Sequence, residues 1–350
     1  MPRIPLMGPT PAILFLVIAG YAGHQLSRYF LEGIDGSRSA VDRRFISPWV
    51  VSIPIAFLTG TLLVTWATYL VASALRDTAR PLATSNFVVI SIVVLALGVG
   101  AYQRKSRGST SAQAPHTLGM RGRIRWPDLA ILVTGLAVGG ALMFHTCRME
   151  GDTLVFGRTA FGDLNIHLGM ARSFSEGQNF PTGYVAYAGS DIRYHFMFYF
   201  LVGNLEFLGL PLDWAVNLPS ILSFTSVLLL LYALGSVLGR NWRVGAAAVV
   251  FFLMRSSPAI LYYIAALPSD GFLGRIGAVM RTNRYIGLTT HEEWGIWNLN
   301  VYVVERHFAF AFGLVLLACL YLVRTTGLDS GPSLIRWFTA RSRTPASVPD

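Results

Sequence analysis

The chain has 350 residues, of which 53% are hydrophobic and 13% charged, with a formal net charge of +10 and a mean hydropathy of +0.51. Soluble domains carry roughly 25% charged residues, so this composition excludes an ordinary soluble protein. Thirty-four Gly and 17 Pro spread through long apolar segments also exclude an outer-membrane barrel, whose strands are short and alternating.

The N-terminus, MPRIPLMGPTPAILFLVIAG, has the look of a signal peptide but lacks a small-residue cleavage site. It is read as a retained first span. A helix needs roughly 20 apolar residues to cross a bilayer, and about seven spans satisfy this: 4–24, 48–75, 85–103, 128–147, 215–239, 243–267 and 308–325. The fold class expected is all-α, a polytopic helical membrane protein. Two cysteines, Cys147 and Cys319, lie in or beside apolar spans and make no disulfide framework.

The connector 104–127 holds Arg104, Lys105, Arg107, Arg121, Arg123 and Arg125. By the positive-inside rule it is cytoplasmic, and it divides an N-terminal three-span part (1–103) from a membrane module (128–325). The tail 326–350 is also basic and cytoplasmic. Basic residues scattered over short connectors speak for membrane anchoring, so no nucleic-acid partner is expected. Lys105 is the sole lysine, a bias expected of a GC-rich genome.

This orientation leaves loops 148–214 and 268–306 outside, and together they carry eleven of the eighteen acidic residues. The apolar segment 194–210 is short and contains His195, Asn204 and Glu206. It is expected to lie on the membrane surface as an amphipathic helix. Were it to span, the two acidic loops would fall on opposite faces.

Candidate chemistry concentrates in these loops. Asp163 and His167 stand four apart in FGDLNIHLGMARSF, a spacing that puts both on one helix face, with Arg172 further along. A carboxylate beside an imidazole suits a divalent cation (Mg or Mn) or general-base work; a solvated helix face explains the same pattern. Asp270, in ALPSDGF, is either a second acidic site residue or ordinary turn chemistry. Glu305, Arg306 and His307 open the last span. They serve either as anchors or as a grip on a lipid phosphate, for which arginine's fork is suited. Arg255 falls within a span, where a charge needs a partner or a wet cavity, unless that span ends early. Tyr194 and the other loop aromatics suit stacking on a sugar or seating on the interface.

The stretch FGDLNIHLGMARSFSEGQNFP, followed by RYHFMFYFLVGNLEFLGLPLDWAVNLPS, resembles the GT-C superfamily of integral-membrane glycosyltransferases. It is similar to the protein O-mannosyltransferases and aminoarabinose transferases. The resemblance covers about 128–325. It implies a sugar moved from a polyprenyl-phosphate carrier to an extracytoplasmic acceptor at a bacterial plasma membrane. Asp163, and by position Asp270, would be the catalytic carboxylates. His167, Arg172, Tyr194, His195, Arg255, Glu305, Arg306 and His307 would meet the substrate, with Asp163 and His167 holding any metal. Family members usually carry more spans, so a second membrane subunit is an expected partner. The alternative is a non-catalytic, truncated or split relative that binds a lipid or an envelope-assembly partner.

Overall fold

A computed structural model of the chain describes residues 8–32, 45–107, 124–157, 160–187, 189–254, 259–268, 271–281 and 297–326. Among these, twelve helices follow in order: α1 Thr10–Glu32, α2 Trp49–Ala74, α3 Pro81–Arg107, α4 Trp126–Thr146, α5 Phe161–Ser175, α6 Met197–Phe207, α7 Leu212–Gly239, α8 Trp242–Leu253, α9 Ala259–Ala266, α10 Phe272–Arg281, α11 Trp297–Val304 and α12 Arg306–Thr326. One hairpin, β1 Cys147–Glu150 with β2 Thr153–Phe156, leads out of α4. The protein is all-α and polytopic. Five helices are long and apolar enough to cross a membrane: α2, α3 (through Gln103), α4, α7 and α12 (through Val323).

Helix α7 is the organising element. It is buried along most of its length and packs against α2, α4, α6, α8 and α12. Its serines are compatible with that burial because Ser220, Ser223 and Ser226 return their hydroxyls to the carbonyls of Val216, Pro219 and Leu222 at 2.6–2.7 Å. Such back-bonding leaves none of these three hydroxyls stranded in an apolar surrounding. Arg240, in the left-handed conformation at φ 50°, ends α7, and the Asn241 side chain caps α8 by accepting from the Arg243 amide.

The three N-terminal helices do not stand apart from the rest. Helix α2 packs on α7 and α12, and α1 packs on α2. At the α1–α2 crossing Gly23 faces Ala56 and Gly60 faces Ala19, so closely that an added Cβ at either glycine would strike the opposing carbonyl. Close approach through small residues is the usual way membrane helices associate. Asp128, fully buried at the start of α4, accepts from the Ser47 amide (2.8 Å) and the Tyr232 hydroxyl (2.7 Å), tying the entries of α2 and α4 to α7.

Two expectations change. The segment 194–210 is no amphipathic surface helix: residues 198–206 of α6 are all buried, held among α1, α2, α5 and α7. Its eleven residues reach about 16 Å, well short of the ~30 Å hydrocarbon layer, so it is an enclosed half-length helix. Its polar residues have protein partners: Asn204 exchanges bonds with Asn86 of α3 at 2.6 and 3.0 Å, and Glu206 accepts from Ser175 at 2.6 Å. The expected span 243–267 is instead two shorter helices, α8 and α9. Most of the basic linker and the whole 327–350 tail lie outside the described residues.

Candidate functional site

Helix α5 carries His167 on its inward face, with 1% of the residue exposed. The chain then runs through an irregular segment to Tyr194 and His195, just before α6. Glu305 sits at the break between α11 and α12, and His307 lies in the first turn of α12. These four elements converge. The Glu305 Oε2 atom lies 3.4 Å from His307 Nδ1 and 3.9 Å from Nε2 of both His167 and His195. His167 Nε2 is 3.2 Å from the Tyr194 hydroxyl, and His307 Nδ1 is 3.1 Å from the Tyr199 hydroxyl. Glu305, at the end of the expected loop 268–306, is thus brought beside His167 and His195 of the expected loop 148–214.

Ring packing holds the cluster. His167 stacks on Tyr199 with centroids 4.2 Å apart, and His195 lies 3.6 Å from both Tyr194 and His307. Burial, and then the neighbouring His195, lowers the His167 pKa to about 4; burial also lowers that of His195. Both imidazoles are therefore neutral near pH 7 and offer lone pairs. Burial, aided by the charge of Asp163, raises the Glu305 pKa. Burial and the charges of Glu305 and Asp163 raise that of Tyr194.

Two cavities meet at this cluster. One is an apolar groove of about 300 Å³ between α2 and α12, lined by Thr65, Trp66, Phe198, Leu201, Phe310 and Leu314 and reaching Tyr194, His195 and His307. The other, about 710 Å³, is polar and walled by Tyr184, Tyr187, Asp191, Arg193 and again Tyr194.

Not every expected site residue joins. Asp163 is exposed on α5 and bears on the cluster through its charge on Glu305 and Tyr194. Among the described residues, the donor atoms close enough together to hold a metal ion are those of His167, His195 and Glu305. This differs from the expected Asp163–His167 pair. Arg306 is wholly buried and turned away. Its Nε donates to the Val303 carbonyl (2.8 Å), Nη1 to Asn217 Oδ1 (2.8 Å), and Nη2 to Thr146 Oγ1 (2.9 Å) and the Met143 carbonyl (3.4 Å). It is an internal tie between α4, α7 and α12, and as placed it offers no donor to a lipid phosphate. Arg172 faces Glu206 at 3.3 Å and Glu176 at 3.8 Å, away from the cluster. Arg255 and Asp270 lie outside the described residues. Sequence reasoning missed Tyr199 and the α2 wall of the groove. Both are apolar-looking positions within helices, and only their packing marks them.

Comparison with protein-family models, with curated proteins and with solved structures gave no match to this chain.

Proposed function

We propose that this protein is a membrane-embedded glycosyltransferase of the GT-C kind, drawing a sugar from a polyprenyl-phosphate carrier. The observation that carries the reading is the shared wall at Tyr194. An apolar groove between membrane-crossing helices and a tyrosine-lined polar cavity both end on that residue, beside a cluster of imidazoles and a carboxylate. A lipid-linked sugar has the matching division: an isoprenoid tail for the groove and a polar headgroup for the cluster.

On this reading the tail lies against α2 and α12, and the headgroup meets Tyr194, His195 and His307. Asp163, an exposed carboxylate within electrostatic range of Tyr194 and Glu305, takes the proton of the acceptor hydroxyl. The acceptor oxygen bonds to the anomeric carbon as the bond from that carbon to the phosphate oxygen breaks, and the lipid phosphate leaves. A single displacement needs one base and charge balance on the phosphate, without the paired carboxylates of glycosidases. The active end then faces the outside of a bacterial plasma membrane.

The test uses purified protein in detergent and a polyprenyl-phosphate sugar with an alcohol acceptor. Saturable lipid binding and sugar transfer are expected, with transfer lowered at least about 100-fold in Asp163→Asn while binding persists, as loss of a general base requires. Binding without transfer under any acceptor makes the chain a lipid-binding protein and not an enzyme. Absence of saturable binding overturns the reading altogether.

A further inference from the structure

The geometry around Glu305 Oε2 is unusual in one respect. The atom is buried and has no hydrogen-bond partner, yet three imidazole nitrogens surround it at 3.4, 3.9 and 3.9 Å. The two separations of 3.9 Å are too long for hydrogen bonds, and the 3.4 Å approach of His307 Nδ1, which pairs with the Tyr199 hydroxyl, does not make one. A buried carboxylate oxygen left without a partner is costly and calls for a cation or donor. One nitrogen each of His167 and His195 and an oxygen of Glu305 all lie within 4.8 Å of one another. Around a tetrahedral ion with ~2.0–2.1 Å bonds, neighbouring donors are about 3.3–3.4 Å apart. The two His–Glu edges are thus about half an ångström too wide for direct coordination and the widest edge up to about 1.5 Å too wide, so the side chains must turn inward to take an ion.

We propose that His167, His195 and Glu305 form a binding site for a divalent first-row transition metal of the zinc class. Two imidazoles and one carboxylate are the donors such ions take, whereas Mg²⁺ and Ca²⁺ prefer all-oxygen shells. His307, 3.4 Å from Glu305 Oε2 and itself 3.1 Å from the Tyr199 hydroxyl, positions the carboxylate from outside the ligand set. The Tyr194 hydroxyl, now the 3.2 Å partner of His167 Nε2, gives up that nitrogen to the ion. Three protein donors leave at least one coordination position for water or a substrate oxygen, the mark of an open site and not a purely structural one. A phosphate bound there would have its charge balanced by a Lewis acid. The ion site is independent of whether the groove takes a lipid, because it is read with the metal alone.

The test is metal binding to the full chain, purified in detergent without a histidine tag and stripped with a chelator. Cobalt titration followed by visible absorption, and zinc titration against a chromophoric competitor, should each give one ion per chain. Zinc should raise the unfolding temperature of the wild type. His195→Gln and Glu305→Gln should each weaken binding by more than the roughly 10–100-fold that loss of an outer partner costs, and abolish the thermal shift. His24→Gln and His145→Gln should leave both unchanged. The His195 side chain is 45% exposed, so its replacement spares the core, and an unchanged elution profile and unfolding temperature without metal confirm that. Binding no tighter than millimolar in the wild type overturns the proposal, as does full affinity in both ligand variants.

Discussion

Glu305 and Arg306 are consecutive residues whose side chains turn to separate sets of partners. Glu305 turns to His167, His195 and His307, while Arg306 enters the interior and ties α12 to α4 and α7. The break between α11 and α12 makes this possible, since a continuous helix would place the two only about 100° apart on one surface.

Arg306 should therefore be a stability residue. Arg306→Met removes a fully buried cation and strands the acceptors Asn217 Oδ1 and Thr146 Oγ1, a loss on the order of 3 kcal/mol. Thermal unfolding in detergent should fall by several degrees, and Arg306→Lys should recover only part of it because an ammonium lacks the planar fork. An unchanged unfolding temperature with selective loss of lipid binding would restore the phosphate-gripping role expected from sequence.

The groove makes a separate prediction. Ala311 lines it and is exposed, so Ala311→Trp should fill space without disturbing the core. Displacing about two methylenes of an isoprenoid at ~0.8 kcal/mol each corresponds to roughly tenfold weaker lipid binding. Photo-crosslinking with a diazirine-bearing polyprenyl phosphate measures it; undiminished labelling would show that the tail lies elsewhere.

The reciprocal Asn86–Asn204 pair is the polar clasp between α3 and α6. Asn204→Leu should cost about 1–3 kcal/mol by stranding the Asn86 carbonyl oxygen. The double replacement by Leu should cost less than the sum of the singles, since neither polar group is then left without its partner. Additive losses would mean that the two side chains act independently.

Cys147, completely buried at the start of the hairpin, has its thiol pushed up to about 11, by burial first and with a further push from Asp213, against the opposing pull of Arg306. The folded pKa lies above the ordinary value of 9.0, so the unfolded chain loses this proton first as pH rises. The thiol's contribution to stability is fully present below pH 9 and is lost between about 9 and 11. Maleimide at pH 8 should leave Cys147 unlabelled in the native protein and label it after denaturation; rapid native labelling would contradict its enclosure.

The sequence by itself determined the membrane class, five of the seven expected spans and the segments in which polar chemistry collects. Hydrophobic length and charge asymmetry are local properties, and helices satisfy their own backbone wherever they are placed. It also marked His167, His195, Glu305 and His307 as residues of interest. It did not distinguish Glu305 from its neighbour Arg306, nor show that Asp163 stands outside the group formed by His167, His195 and Glu305. Nor did it reveal that 197–207 is an enclosed helix: eleven residues, apolar but for an Asn and a Glu, read equally well as a surface helix until Asn86 and Ser175 are brought to them. Those outcomes belong to the tertiary structure. Which side chains meet depends on contacts between residues more than a hundred positions apart, and no local pattern encodes them.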